Sequence, residues 1–159
     1  ITPQESYQSI NWTVIILISA LIPVGIAIQK TGTADWIASI ITSIVRSTPE
    51  EWQPRVLLAL IYLITVILTE VSSNAATAII MTPIAIAVTS QMGLNPRAYI
   101  FAVAFAASAS FITPVGYQTN LMVYGPGGYK FSDYIKVGFP LAFIFWIMAI
   151  FILPVLWPI

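Results

Sequence analysis

Two clusters of polar residues interrupt long apolar stretches of this chain, and they are the places where it could do chemistry. The first is Thr69-Glu70-Val71-Ser72-Ser73-Asn74 and the second is Thr113-Pro114-Val115-Gly116-Tyr117-Gln118-Thr119-Asn120. A break inside an apolar helix ends one half-helix and begins another. It presents carbonyls with partial negative charge on one side and unpaired amides with partial positive charge on the other. The first side suits a cation, the second an anion. Thr69 stands at the carbonyl end of the first break, while Ser73 and Asn74 occupy the N-cap region of the limb that follows. Their side-chain oxygens can turn toward a hard cation. In the second break Gly116 permits close backbone approach, Thr119-Asn120 can cap the following helix, and Tyr117 and Gln118 add donors.

An isolated Ser, Thr or Asn in a membrane helix is commonly interhelical glue worth about 1 kcal/mol. Here such residues cluster twice, each time between short apolar flanks, which favours a binding site. Glu70 is the only acidic residue within the apolar blocks, and an intramembrane carboxylate is a functional candidate by default. Two roles stay open for it: a hydrogen-bonded, protonated group that holds the tip of a hairpin, or a participant in cation or proton coupling.

These readings depend on the clusters lying at membrane depth, and composition places them there. Of 159 residues 58% are apolar and 8% charged, too much apolar surface to hide inside a soluble domain of this size. Six acidic and six basic residues leave no net charge, and no basic patch points to nucleic acid. The absence of Cys and His removes thiol nucleophiles, disulfides, zinc sites and the usual general base, which argues against an enzyme; no cofactor is expected. The chain starts at Ile1 and no basic region precedes its first apolar stretch, which therefore does not resemble a signal peptide, and the chain is expected to be an excerpt of something longer.

The elements that position the clusters follow from the apolar blocks, and the fold class expected is all-α integral membrane. Residues 12–28 form a span, kinked near Pro23-Val24-Gly25. Residues 33–46 form an amphipathic helix with Trp36, Ile37, Ile40, Ile41, Ile44 and Val45 on one face. Ser47 to Pro54 is a polar loop with Trp52 as interface anchor. Residues 55–90 offer two apolar limbs, Val56 to Leu68 and Ala75 to Val88, of 13 and 14 residues, each too short to cross a bilayer alone. We expect a re-entrant hairpin over one long discontinuous helix. Residues 97–125 form a broken helix whose first limb, Ala98 to Ile112, is rich in small residues that let backbones approach closely. Lys130 to Lys136 reads as a short amphipathic connector. Residues 136–157 form a closing span, within 23 residues, Val137 to Ile159, that carry no charge.

Thr69-Glu70-Val71-Ser72-Ser73-Asn74-Ala75-Ala76-Thr77 and Pro114-Val115-Gly116-Tyr117-Gln118-Thr119-Asn120 together resemble the divalent anion:sodium symporter family of the ion transporter superfamily. The resemblance covers nearly the whole chain. It implies the second of two inverted repeats of a secondary transporter, with the first repeat a missing partner. By the same resemblance Thr69, Ser72, Asn74 and Gly116 match positions that bind sodium. Ser73, Asn74, Tyr117, Gln118 and Thr119 match the substrate-facing tip and loop. Two departures are visible. Ala75 stands where the family's Ser-Asn-Thr tip has Thr, and Gly116 to Thr119 replaces the Ala-Thr-Pro-Pro of dicarboxylate members. Both turn the reading from succinate-like or citrate-like cargo toward the sulfate-permease branch.

The function expected is therefore sodium-coupled symport of a small divalent anion such as sulfate. The alternatives are a dicarboxylate, citrate or proton-coupled carrier, and, from other classes, a channel or a membrane subunit without transport. No filter-like acidic ring or carbonyl-rich run favours a channel. Expected partners are the anion, sodium, the lipid bilayer, the N-terminal repeat and a second copy in a homodimer, in the plasma or inner membrane.

Overall fold

A computed structural model of the chain describes residues 2–10 and 12–159. All regular structure among them is helical. α1 (Pro3–Ser9) is short and closed by a reciprocal cap, in which the Glu5 amide donates to Thr2 Oγ1 and the Thr2 amide to the Glu5 carboxylate. α2 (Trp12–Lys30) runs on through Pro23 to Gly32, whose φ of 73° is one that residues with a Cβ rarely adopt. There the chain bends by 64° into α3 (Thr33–Val45), which buries Ala34, Ala38, Ile41, Thr42 and Val45 and exposes Trp36 and Ser43. Of the apolar face expected from the spacing, Ile41 and Val45 are buried, whereas Trp36, Ile40 and Ile44 are exposed, because the packed face is the one that carries the small Ala34 and Ala38.

A 3-10 turn (Glu50–Trp52) leads into α4 (Gln53–Thr69), and after a four-residue break α5 (Asn74–Met92) returns to Gly93, a left-handed C-cap. The two limbs are longer than their apolar runs suggested. At 17 and 19 residues they reach about 26 and 28 Å at 1.5 Å per residue. Polar residues such as Gln53, Thr89 and Gln91 continue the helix once its ends reach water or find partners. With its preceding turn α4 is long and apolar enough to cross a membrane, and so is α5, by length and composition.

α6 (Arg97–Ala107) is a short apolar helix packed against both α4 and α5. Ala98, Ala102 and Ala106 recur every fourth residue and are fully or almost fully buried, so the backbones meet closely there. Tyr99 is completely buried and its hydroxyl donates to the Pro54 carbonyl at 3.1 Å, which closes the outer end of this core. α6 ends five residues before the expected Ile112. The amides of Ser108 and Ala109 bond three residues back, to Phe105 and Ala106, tightening the last turn, and the freed Ala107 carbonyl is taken by a side chain from α4.

α7 (Gln118–Tyr124) follows the second break, and a turn through Gly125-Pro126-Gly127-Gly128 reverses the chain. α8 (Phe131–Leu156) then runs unbroken for 26 residues. Lys130 to Lys136 is therefore no separate connector: Lys130 is the N-cap, its amide held by Asp133 at 2.9 Å, and Lys136 lies inside the long helix. α8 is anchored to α4 by Trp146, whose indole N–H donates to the Ala59 carbonyl at 2.9 Å. Its other faces leave Val137, Phe139, Phe151 and Val155 exposed, as suits a hydrocarbon surround.

Candidate functional site

The first break is residues 70–73, between α4 and α5, and the second is residues 108–117, between α6 and α7. Their position side by side follows from α6 packing into the α4–α5 pair. Thr69, the last residue of α4, is fully buried. Its hydroxyl donates to the Ala107 carbonyl at 2.7 Å and lies 2.9 Å from Asn74 Oδ1. Its carbonyl accepts from the Ser110 hydroxyl at 3.3 Å. Thr69 Oγ1 and O, Asn74 Oδ1, Ala107 O and Ser110 Oγ thus form one connected set of neutral oxygens from both breaks. Such a set is what a hard monovalent cation needs, carbonyl and hydroxyl donors without a competing basic nitrogen.

Glu70, 7% exposed, joins the breaks most directly. Its Oε1 accepts from the Ile112 amide and its Oε2 from the Thr113 amide, both at 2.9 Å. The Thr113 hydroxyl donates back to the Glu70 carbonyl at 3.3 Å and in turn accepts from the Gly116 amide at 3.0 Å. A carboxylate is the acceptor best matched to two adjacent unpaired amides. Two of the amides that the second break frees are therefore held by the protein itself and are not open to an anion.

Against this network, sharing Glu70, Asn74 and Gly116 with it, lies a cavity of about 460 Å³ lined also by Ser72, Ser73, Tyr117 and Gln118, with Val71, Val115 and Leu121. Two helix N-termini open into it. In α5 the first intrahelical bond runs from the Thr77 amide to the Ser73 carbonyl, and Ser73 Oγ caps the Ala76 amide at 3.2 Å. The amides of Asn74 and Ala75 precede that bond and have no helical partner. In α7 the first such bond is from Leu121 to Tyr117, and no side chain caps the start.

The geometry sorts the expected residues. Ser73, Asn74, Tyr117 and Gln118 share the cavity, whereas Thr119 is exposed and outside its lining. Thr69 and Asn74 belong to the oxygen cluster, and Ser72 and Gly116 to the cavity wall. Gly116 is buried so tightly that a Cβ there would collide with Ser110 Oγ and stand 2.7 Å from Glu70 Oε2. Asn120 does not cap α7. It lies within the helix, and its Nδ2 reaches back to the carbonyls of Ser110 at 2.9 Å and Thr113 at 3.2 Å. Ala107 and Ser110 escaped the sequence reading. The signal for Ser110 was its place in the run of Ala and Ser before Thr113; the Ala107 carbonyl left none in its side chain. Thr77, one turn beyond Asn74 on the same face of α5, has a buried hydroxyl without a hydrogen-bond partner among the described residues.

A family model described as "Citrate transporter" matches residues 1–103 and 54–159, which together take in the whole chain. The chain belongs to the citrate transporter family. Over 142 residues, 89% of its length and 22% of the relative's, it is 49% identical to an uncharacterized transporter of Synechocystis sp.. It is 35% identical over 146 residues to sodium/sulfate cotransporter 1 of Chlamydomonas reinhardtii, covering 92% of this chain and 16% of the relative. It is 28% identical over 135 residues to the sodium-dependent dicarboxylate transporter SdcS of Staphylococcus saprophyticus, covering 85% of this chain and 25% of the relative. The chain thus spans a quarter or less of each of these three relatives. This member of the citrate transporter family is an integral membrane protein, and its relatives' names agree with the resemblance carried by the two breaks.

Proposed function

We propose that the protein containing this chain is a secondary active transporter that moves sodium and a small divalent anion together, with sulfate the first candidate. The observation that carries the proposal is the meeting of both breaks at one place, where a cluster of neutral oxygens and a cavity lined by two helix starts share Asn74. In this reading sodium sits at Thr69, Asn74 and the Ala107 carbonyl, near Ser72 and Gly116. The anion sits against Ser73, Asn74, Tyr117 and Gln118, where partial positive charge from the helix N-termini faces it. The partnerless Thr77 hydroxyl supports an ion or water nearby, since an unsatisfied buried hydroxyl costs about 1–3 kcal/mol.

Asn74 belongs to both sites, its Oδ1 in the oxygen cluster and its backbone amide at the cavity. An ion that fixes the Asn74 side chain also fixes the anion's wall, and coupling follows. In this reading Glu70 holds the two breaks together, but as an acceptor at both oxygens and not as the protonated group of the first expectation, since each oxygen takes an amide of the second break. The α4–α5 pair serves as a re-entrant hairpin and α6–α7 as the broken helix of a second repeat, completed by an N-terminal repeat and a homodimeric partner. A dicarboxylate is the second candidate cargo. The SdcS relative and the family's description favour it, and Ala75, which offers no hydroxyl at the tip, argues against it.

The test is uptake of labelled sulfate by the full-length protein in proteoliposomes, with and without an inward sodium gradient. Sodium-driven, saturable uptake that Asn74→Ala abolishes supports the proposal. Uptake indifferent to both sodium and Asn74 contradicts it.

A further inference from the structure

We infer that α8 positions the sodium site, through a seat at Gly138 and a strut at Tyr134. Gly138 is buried in the interior of α8, where glycine is unfavourable for the helix itself and needs a packing reason. The reason is visible in its surroundings. A Cβ at Gly138 would collide with the carbonyl of Phe111 and come within 2.9 Å of the Ile112 Cα. These are backbone atoms of the second break, and no flexible side chain can move aside for them.

The residues that rest on this seat are the ones that matter below it. Ile112 and Thr113 donate to Glu70, and Ser110, one residue before Phe111, donates to the Thr69 carbonyl in the oxygen cluster. One turn earlier on the same helix, the Tyr134 hydroxyl donates to the Asn120 carbonyl at 2.9 Å, and the Asn120 side chain binds the carbonyls of Ser110 and Thr113. α8 therefore holds the second break at two points. It is not free to retreat, because Trp146 ties it to α4 and Phe145 packs on Phe111 with ring centroids 5.6 Å apart. None of the α8 residues touches the proposed ion. They act through the backbone of residues 110–113.

The inference rests on the sodium site proposed above, and its test separates the two. In full-length protein, the sodium concentration giving half-maximal thermal stabilisation and half-maximal sulfate uptake is measured for wild type, Gly138→Ala, Tyr134→Phe and Gly125→Ala. Helix propensity alone predicts that Gly138→Ala is harmless or favourable. The seat predicts a sodium half-saturation raised about tenfold or more, the scale seen when a supporting partner of a metal ligand is lost. The anion half-saturation at saturating sodium should change little. Tyr134→Phe, which removes only the hydroxyl, shifts sodium in the same direction by less, and Gly125→Ala, whose Cβ would meet open space, stays at wild type. A wild-type sodium response in both Gly138→Ala and Tyr134→Phe overturns the inference while leaving the sodium site standing. Should Gly138→Ala fail to fold, Tyr134→Phe decides alone. A wild-type protein that ignores sodium in both readouts removes the proposed site and this inference with it.

Discussion

Glu70 Oε2 accepts the Thr113 amide at 2.9 Å across 43 positions of sequence, and through it the tips of two broken helices become one structure. With Oε1 on Ile112 the same carboxylate satisfies two backbone donors that no helix could serve. Glu70→Gln keeps the shape but replaces one acceptor oxygen by an NH₂ that faces a donor. The expected loss is about 2–3 kcal/mol of stability, from one charge-assisted bond broken and another weakened. It would be read as a lower melting temperature of the purified full-length protein, with a matching drop in uptake. A variant as stable as wild type would show that the carboxylate does not hold the breaks together.

Gly116→Ala tests the tightness of the same junction from the other side. The added methyl meets Ser110 Oγ, Glu70 Oε2 and Thr113 Oγ1 together, so no single side-chain rotation relieves it. Overpacking of this kind costs roughly 1–3 kcal/mol, and here it falls on the cavity wall. Uptake should be lost at saturating anion while the protein still reaches the membrane. Normal uptake by Gly116→Ala would mean that the second break is looser than described.

Ser73 and Thr119 separate the cavity from its surroundings. Ser73→Ala removes the cap on the Ala76 amide, worth about 1 kcal/mol, and strips a hydroxyl from the cavity lining, so the anion half-saturation should rise several-fold. Thr119→Ala should change neither half-saturation nor stability, because Thr119 is exposed and outside that lining. The pair is checked by concentration-dependent uptake. An effect of Thr119→Ala equal to that of Ser73→Ala would place the anion elsewhere.

Much of this architecture is legible before any coordinates, for a physical reason. A bilayer tolerates unpaired backbone only where something satisfies it, so polar clusters inside apolar runs mark breaks. Ser73 as N-cap of α5 and the charge-free run from Val137 onward within α8 follow from residue type and spacing. What was not legible depends on contacts distant in sequence. The early end of α6 follows from Thr69 taking the Ala107 carbonyl, and the reach of Asn120 back to Ser110 and Thr113 depends on the path of residues 108–117. The limbs of α4 and α5 outran their apolar cores because Thr69 and Thr89, polar by type, give their hydroxyls to the carbonyls of Ala107 and Ala85 and so remain buried at the helix ends.

The central claim is that one residue, Asn74, serves two ligands, and the most direct measurement of it is sulfate affinity at equilibrium as a function of sodium in the full-length protein. The account predicts that sodium tightens sulfate binding by about five- to 150-fold, the usual range of a coupling free energy, and that sulfate tightens sodium binding by the same factor. Asn74→Ala should bring both factors close to one. Sulfate binding that is tight and independent of sodium, or coupling that survives Asn74→Ala, would contradict the account.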